Sequence, residues 1–213
     1  MNTDNFRLVL ANIVLAYDNL GQARISRDNL LDLLPDVEPQ FLDLGQFIVA
    51  KYPTISAEII VLIEANRIEA KVNFPDHDKL VQIPRLVWSA MRAVSRAQLV
   101  AYGFNFHSRI TIPGDESASR FLLRQFEPTL RNIGVQVGGN LESMSVQLGY
   151  RRDAVKHQLN LTPQPEDDSG MIVNMNIHYD TDVLPAEAEL TTSYLAGRDR
   201  FIQTIQSLFE EAH

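Results

Sequence analysis

The side chains with the most chemical potential in this chain lie in two short alternating stretches. In the first, Asn105, His107 and Arg109 occupy every second position, out of phase with Val100, Tyr102, Phe104, Phe106, Ile110 and Ile112. In the second, Asn174, Asn176, His178 and Asp180 do the same within Met171 to Asp180. Residues two apart on a strand share a face, so each stretch carries one polar face and one apolar face. If the two strands are neighbours, their polar sides combine into a hydrogen-bonding surface, or set a histidine beside a carboxylate, the pair that general acid–base work requires. A metal site needs a third convergent ligand, and none can be assigned. The plain alternative is a solvated sheet face.

The remaining candidates read as structural. His157 runs in phase with Val155, Leu159 and Leu161, the pattern of a satisfied, half-buried histidine, and His77 between Asp76 and Asp78 belongs to a helix cap. The carboxylate pairs Asp167-Asp168 and Glu210-Glu211 are solvated, and Gly138-Gly139 marks a bulge or bend. There is no phosphate loop, dinucleotide fingerprint, paired-histidine metalloprotease helix, calcium loop or nucleophile elbow. The chain contains no cysteine, which excludes disulfides, thiolate zinc sites and a cysteine nucleophile and favours a reducing compartment. No cofactor and no metal are expected.

The elements that must position these residues follow from periodicity. Phe6 to Tyr17 is an apolar, β-rich run buried on both faces that ends in a turn at Asp18 to Gly21. Arg27 to Leu34 reads as a short helix capped by Ser26 and stopped by Pro35, and a second helical piece is expected within Gln40 to Ala50. In Ala57 to Phe74 the apolar phase changes at Glu64 to Arg67, which calls for a hairpin or a bulge. A helix carries Leu80, Ile83, Val87, Met91 and Val94, capped by Asp76 or Asp78, with its regular part starting at Pro84. After the Ala97 to Ile112 strand, a helix opened by Asp115 or Ser117 runs to Ile133, kinked at Pro128. Val135 to Tyr150, Ala154 to Thr162 and Met171 to Asp180 form a meander, linked by a turn at Arg151-Arg152 and an exposed loop from Pro163 to Gly170. A final helix from Ser193 to Ala212 aligns Tyr194, Phe201, Ile205 and Leu208, widened by Leu195, Ile202 and Phe209. Such a stripe needs an apolar partner, and the sheet supplies it.

The expected fold is therefore α+β: a largely antiparallel sheet with helices packed on one face and a long C-terminal amphipathic helix. The 213 residues suit one domain, within which the acidic stretch 18–56 could form a helical lobe. No internal repeat is visible. The net charge of −8 opposes general nucleic-acid binding. Residues 79–152 nevertheless carry +6 between acidic flanks of −6 and −8, so either the charges pair across the surface or the middle third offers a basic patch to an acidic partner. No apolar run approaches the roughly 20 residues of a membrane span, and Leu8 to Tyr17 has Asp4 ahead of it and no cleavage site after it. A cytoplasmic protein without membrane association is expected.

The order of a central strand near Arg96 to Ile112, a helix, a meander and a closing helix ending Phe201-Ile-Gln-Thr-Ile-Gln-Ser-Leu-Phe209 resembles a family of uncharacterised, sporadically distributed bacterial proteins. Their sheet-and-helix arrangement is in turn similar to that of the preprotein-export chaperone SecB. The resemblance spans roughly residues 57–213 and carries no diagnostic motif; the basic middle third departs from the chaperone's acidic character, and residues 18–56 have no equivalent. It implies a non-enzymatic protein- or peptide-binding module of chaperone-like use. Two alternatives stay open: a small-molecule binder with a pocket between sheet and terminal helix, and a hydrolase-type enzyme using His107, Arg109, His178 and Asp180. Self-association into a homodimer or higher homo-oligomer fits a one-sided sheet.

Overall fold

A computed structural model describes residues 6–22, 38–94, 96–114, 116–126 and 143–210. The helix expected at Arg27 to Leu34, the Pro128 kink and Gly138-Gly139 lie outside the described residues. The strands are β1 (Phe6–Tyr17), β2 (Gln40–Asp43), β3 (Phe47–Tyr52), β4 (Ala57–Leu62), β5 (Arg67–Asn73), β6 (Leu99–Thr111), β7 (Val146–Arg152), β8 (Val155–Gln164) and β9 (Asp167–Tyr179). Three α-helices accompany them among the described residues: α1 (His77–Ala93), α2 (Ala118–Gln125) and α3 (Glu187–Glu210).

All nine strands join one antiparallel sheet in the order β2-β3-β4-β5-β1-β6-β9-β8-β7. The order contains a near repetition that the sequence does not display. Each half opens with a long strand (β1, β6), continues through a meander whose last strand (β5, β9) returns beside the first, and closes with a helix (α1, α3). The opening strands pair with each other at the centre, with Asn12 opposite Asn105 near the middle of their ladder.

One face of the sheet is the core. Ala11, Ile13, Leu15, Ile59, Ile68, Ala70, Phe104, Phe106, Val173, Met175 and Ile177 are all essentially inaccessible. Leu80, Ile83 and Val87 of α1 and Tyr194, Phe201 and Ile205 of α3 close over them, and Ala118, Phe121 and Leu122 of α2 belong to the same cluster. The rings interlock: Phe106 lies 5.2 Å from Tyr194 and 5.9 Å from Phe201, and Phe104 meets Tyr194 edge-on at 5.4 Å. Gly197 lets α3 sink onto this layer, since a Cβ there would stand 3.0 Å from Ile177 Cδ1 and 3.3 Å from the Phe106 ring. The Trp88 indole N–H donates to the Pro185 carbonyl (3.2 Å), tying α1 to the segment that leads into α3.

Several local expectations are corrected. Gln40 to Ala50 forms strands β2 and β3 rather than a helix, because Ile48 and Ala50 are needed in the core layer as alternating neighbours of Val61 and Ile59. α1 starts at His77, not Pro84: the Asp76 carboxylate accepts from the Lys79 N–H (2.9 Å), and Pro84 sits inside the helix. Ser117 is the N-cap of α2, which ends at Gln125. The β7–β8 turn is at Asp153 and Ala154, with φ of 49° and 66°, rather than at the two arginines; two left-handed residues match the strand twist in a tight hairpin. The stretch expected as a loop from Pro163 to Gly170 is mostly strand, with Gln164 paired to Asp167. Val100 is displaced from the apolar phase and 45% exposed, because the β1–β6 register slips between Ala16–Ala101 and Tyr17–Leu99. α3 begins earlier than expected, at Glu187.

Candidate binding face

The opposite face of the sheet carries no described helix and holds the candidate residues. β6 and β9 are neighbours, with Asn105 directly opposite Asn176, His107 opposite Asn174, Gly103 opposite His178 and Arg109 opposite Ile172. The two polar stretches therefore do form one surface. Asp180, just past the end of β9, closes on His178 at 2.7 Å and on Lys156 of β8 at 2.6 Å.

At the centre of this surface the amides form a directional chain. Asn176 Nδ2 donates to Asn105 Oδ1, Asn105 Nδ2 to Asn12 Oδ1, and Asn12 Nδ2 to Glu69 Oε1, each at 2.6 Å. Side-chain amides on adjacent strands stand about 4.8 Å apart, which lets each Asn donate to the next. The row extends beyond the asparagines: Gln158 and Gly149 follow on one side, and Lys71, Glu58, Lys51 and Gln40 on the other. One arm of the row is neutral amide and the other is alternating charge, with Lys71 and Glu58 paired at 3.6 Å. In the next row of that charged arm, Val49, Ile60 and Val14 are buried, so beyond the row itself the hydrophilic field lies on β6, β9 and β8, with Arg7 and Asn12 contributed by β1.

Sequence inspection missed Asn12, Glu69, Lys156, Gln158 and Asn160. The signal for Asn12 was present, an isolated amide in an apolar strand, but its odd spacing from Arg7 hides the face that the two share. An irregularity in β1 between Leu8 and Leu10 resets the phase, so both point to the same side. At that irregularity the buried Ser108 hydroxyl donates to the Arg7 carbonyl (2.9 Å). Arg7 and Arg109 face each other directly; the first lies 4.6 Å over the Phe74 ring and the second reaches Asp167 at 3.5 Å.

The histidines do not share a centre. His107 pairs with Asn174, four residues before His178 on β9, a separation of about 13 Å at ~3.4 Å per residue. No reacting atom could touch both rings, and no group of three metal-ligating side chains occurs among the described residues. Asp180 is held below the ordinary carboxylate range by hydrogen bonds from Lys156 and His178. Burial lowers the pKa of His107, partly offset by a hydrogen bond with Asn174, and lowers that of His157, assisted by the charges of Arg200 and Arg152. His157 is more deeply buried than its sequence phase implied, with its ring stacked on Tyr150 at 4.7 Å and its Nδ1 lacking a hydrogen-bond partner.

Both rings stay neutral in the folded protein to a lower pH than in the unfolded chain. Their contribution to stability is therefore complete above the ordinary imidazole pKa of about 6.5 and declines as pH falls through it toward the folded values. NMR titration should place His107 and His157 below that value, and thermal midpoints should fall from about pH 7.5 to about pH 5. Midpoints at or above the free-imidazole value for both rings would contradict their burial.

The space between sheet and α3 is filled by the rings and by the Gly197 contact. Among the described residues, two cavities of about 410 Å³ each lie at the rim: one lined by Ser119, Ser143, Ser145, Thr162 and Asp168, the other by Lys51, Tyr52, Glu58 and Asn73. No described helix is long and apolar enough to cross a membrane.

No family model and no curated protein matches the chain. Among solved structures, TBP of Methanococcus jannaschii is similar over 94% of this chain and 99% of that one, with 9% identity and a TM-score of 0.33. A likeness at that level carries no argument about fold or function.

Proposed function

We propose that the chain is a non-enzymatic binding protein that holds a protein or peptide partner, in a chaperone-like way, on the hydrophilic face of β1, β6, β9 and β8. The observation that supports this reading most directly is the amide row Asn105, Asn176 and Gln158, anchored through the buried Asn12, on a face without a described helix. Side-chain amides offer both donors and acceptors, so they match peptide groups and polar side chains without demanding one charge. The separation of His107 from the His178–Asp180 pair speaks against a shared catalytic centre, and the similarity of element order to the SecB arrangement supports a holding role.

The test is site-specific photocrosslinking in cells of the source organism. A benzophenone side chain replacing Gln158 or Asn160 should give discrete adducts, whereas the same group replacing Arg85 or Arg92, exposed on α1, should not. Asn105→Ala with Asn176→Ala should weaken adduct formation about tenfold, as two net hydrogen bonds of ~0.5 to 1.5 kcal/mol imply. Equal labelling from the α1 positions, or no adduct from the sheet face, would count against the reading. Retention of a metabolite instead, seen by native mass spectrometry, would favour a small-molecule binder.

A further inference from the structure

The two edges of the sheet are unequal. β2 is a four-residue strand ending in Asp43, with Leu44 beyond it. β7 has seven residues, no proline, and an uninterrupted register with β8, which is its only strand partner among the described residues. Edge strands present unpaired N–H and C=O groups, and natural proteins usually shorten, bend or charge them. β7 has arginines at one end only, and its middle displays Leu148 and Tyr150, 41% and 44% exposed. Stacking on His157 fixes the Tyr150 ring in place.

Read antiparallel against itself about Gly149, this strand is self-complementary. Leu148 meets the partner's Tyr150 twice on the helix-bearing side, and Gln147 meets the partner's Arg151 twice on the other. Val146 meets the partner's Arg152. The arginines of the two copies then stand at opposite ends of the joint, about 20 Å apart, so the charges that would block another register are harmless in this one. Each basic end also arrives beside the segment before the partner's β7, where Ser143, Met144 and Ser145 share a cavity with Asp168. The charge at both ends of the joint is thus complementary.

We infer that β7 is a dimerisation edge: a second copy of this chain pairs with it antiparallel about Gly149 and joins the two nine-stranded sheets into one. Pairing of short edges lies at the small end of specific interfaces, below about 1,200 Å², so dissociation in the micromolar range is expected. The absence of cysteine from the chain makes the test clean. A Cβ at Gly149 would meet nothing within 4 Å, and directly opposed Cβ atoms lie ~4.5 to 5.5 Å apart, near disulfide reach.

Sedimentation of the wild-type chain up to several hundred micromolar should show a monomer–dimer equilibrium. Leu148→Lys with Tyr150→Lys should weaken it at least about tenfold while the dissociated chain stays cooperatively folded. Gly149→Cys should oxidise to a covalent dimer, whereas Gln40→Cys on the opposite edge should not. Arg152→Glu should weaken association, and adding Asp168→Arg should restore it. A wild-type chain that stays monomeric throughout would overturn the inference, even if it bound an added acidic, alternately apolar peptide along β7. So would crosslinking at position 40 equal to that at 149, or a dimer indifferent to the double lysine variant.

Discussion

A chain ending at Thr192 will fail to accumulate as soluble, cooperatively folded protein. Residues 193–213 supply Tyr194, Phe201 and Ile205, all fully buried, and they are what covers Phe104, Phe106 and Ile177. Burial of a large apolar side chain contributes ~1.5 to 3 kcal/mol. Counting the helix residues and the sheet residues they shield, the loss is on the order of 10 kcal/mol, comparable with the entire ~5 to 15 kcal/mol stability of a domain. The exposed layer would also be a wide apolar patch of the kind that drives aggregation. Expression of the truncated chain with fractionation of the lysate checks this. A soluble truncation with a cooperative melt would show that α3 is dispensable to the core.

Phe106→Ala is expected to cost about 3 to 5 kcal/mol, toward the upper part of the range for large-to-small core changes. The reason is local. Collapse of the helix into the cavity is the usual way to recover part of such a loss, but at Gly197 the helix is already against Ile177 and the Phe106 ring, and it has no side chain left to give up. The thermal midpoint should drop by about 10 °C, at ~2 to 4 °C per kcal/mol for a chain of this size. Calorimetry or circular dichroism reads the shift. A change below about 1 kcal/mol would mean that Tyr194 and Phe201 repack freely, contrary to the interlocked geometry.

These expectations lean on the parts of the fold that were legible in the sequence. β1 was delimited by its apolar run and β6 by its alternation, and α3 was revealed by its stripe though not its start at Glu187, because in each case a long periodic signal reflects one continuous burial environment. The hairpin of β4 and β5 followed from the change of phase at Glu64 to Arg67. Gln40 to Ala50 was misread because β2 and β3 are short and their burial is dictated by β4, a neighbour that local pattern cannot reveal. The same holds for the candidate face. Alternation placed Asn105, His107 and Arg109 together, and Asn174, Asn176 and His178 together, but that β6 adjoins β9 is a fact of topology. Asn12 and Glu69 joined the row only through pairings with partners far away in sequence. The near repetition of the two halves is likewise carried by strand order and not by residue identity.

That the two halves meet through the β1–β6 ladder has a mechanical corollary. Where lobes touch through side chains they can rock, but here eleven cross-strand positions link them within one sheet, from Phe6–Ile110 to Tyr17–Leu99. Opening that seam would break a row of backbone hydrogen bonds, so no hinge runs beneath Asn12 and Asn105. Whatever settles on this surface must conform to a stiff plate, and the accommodation has to come from the guest.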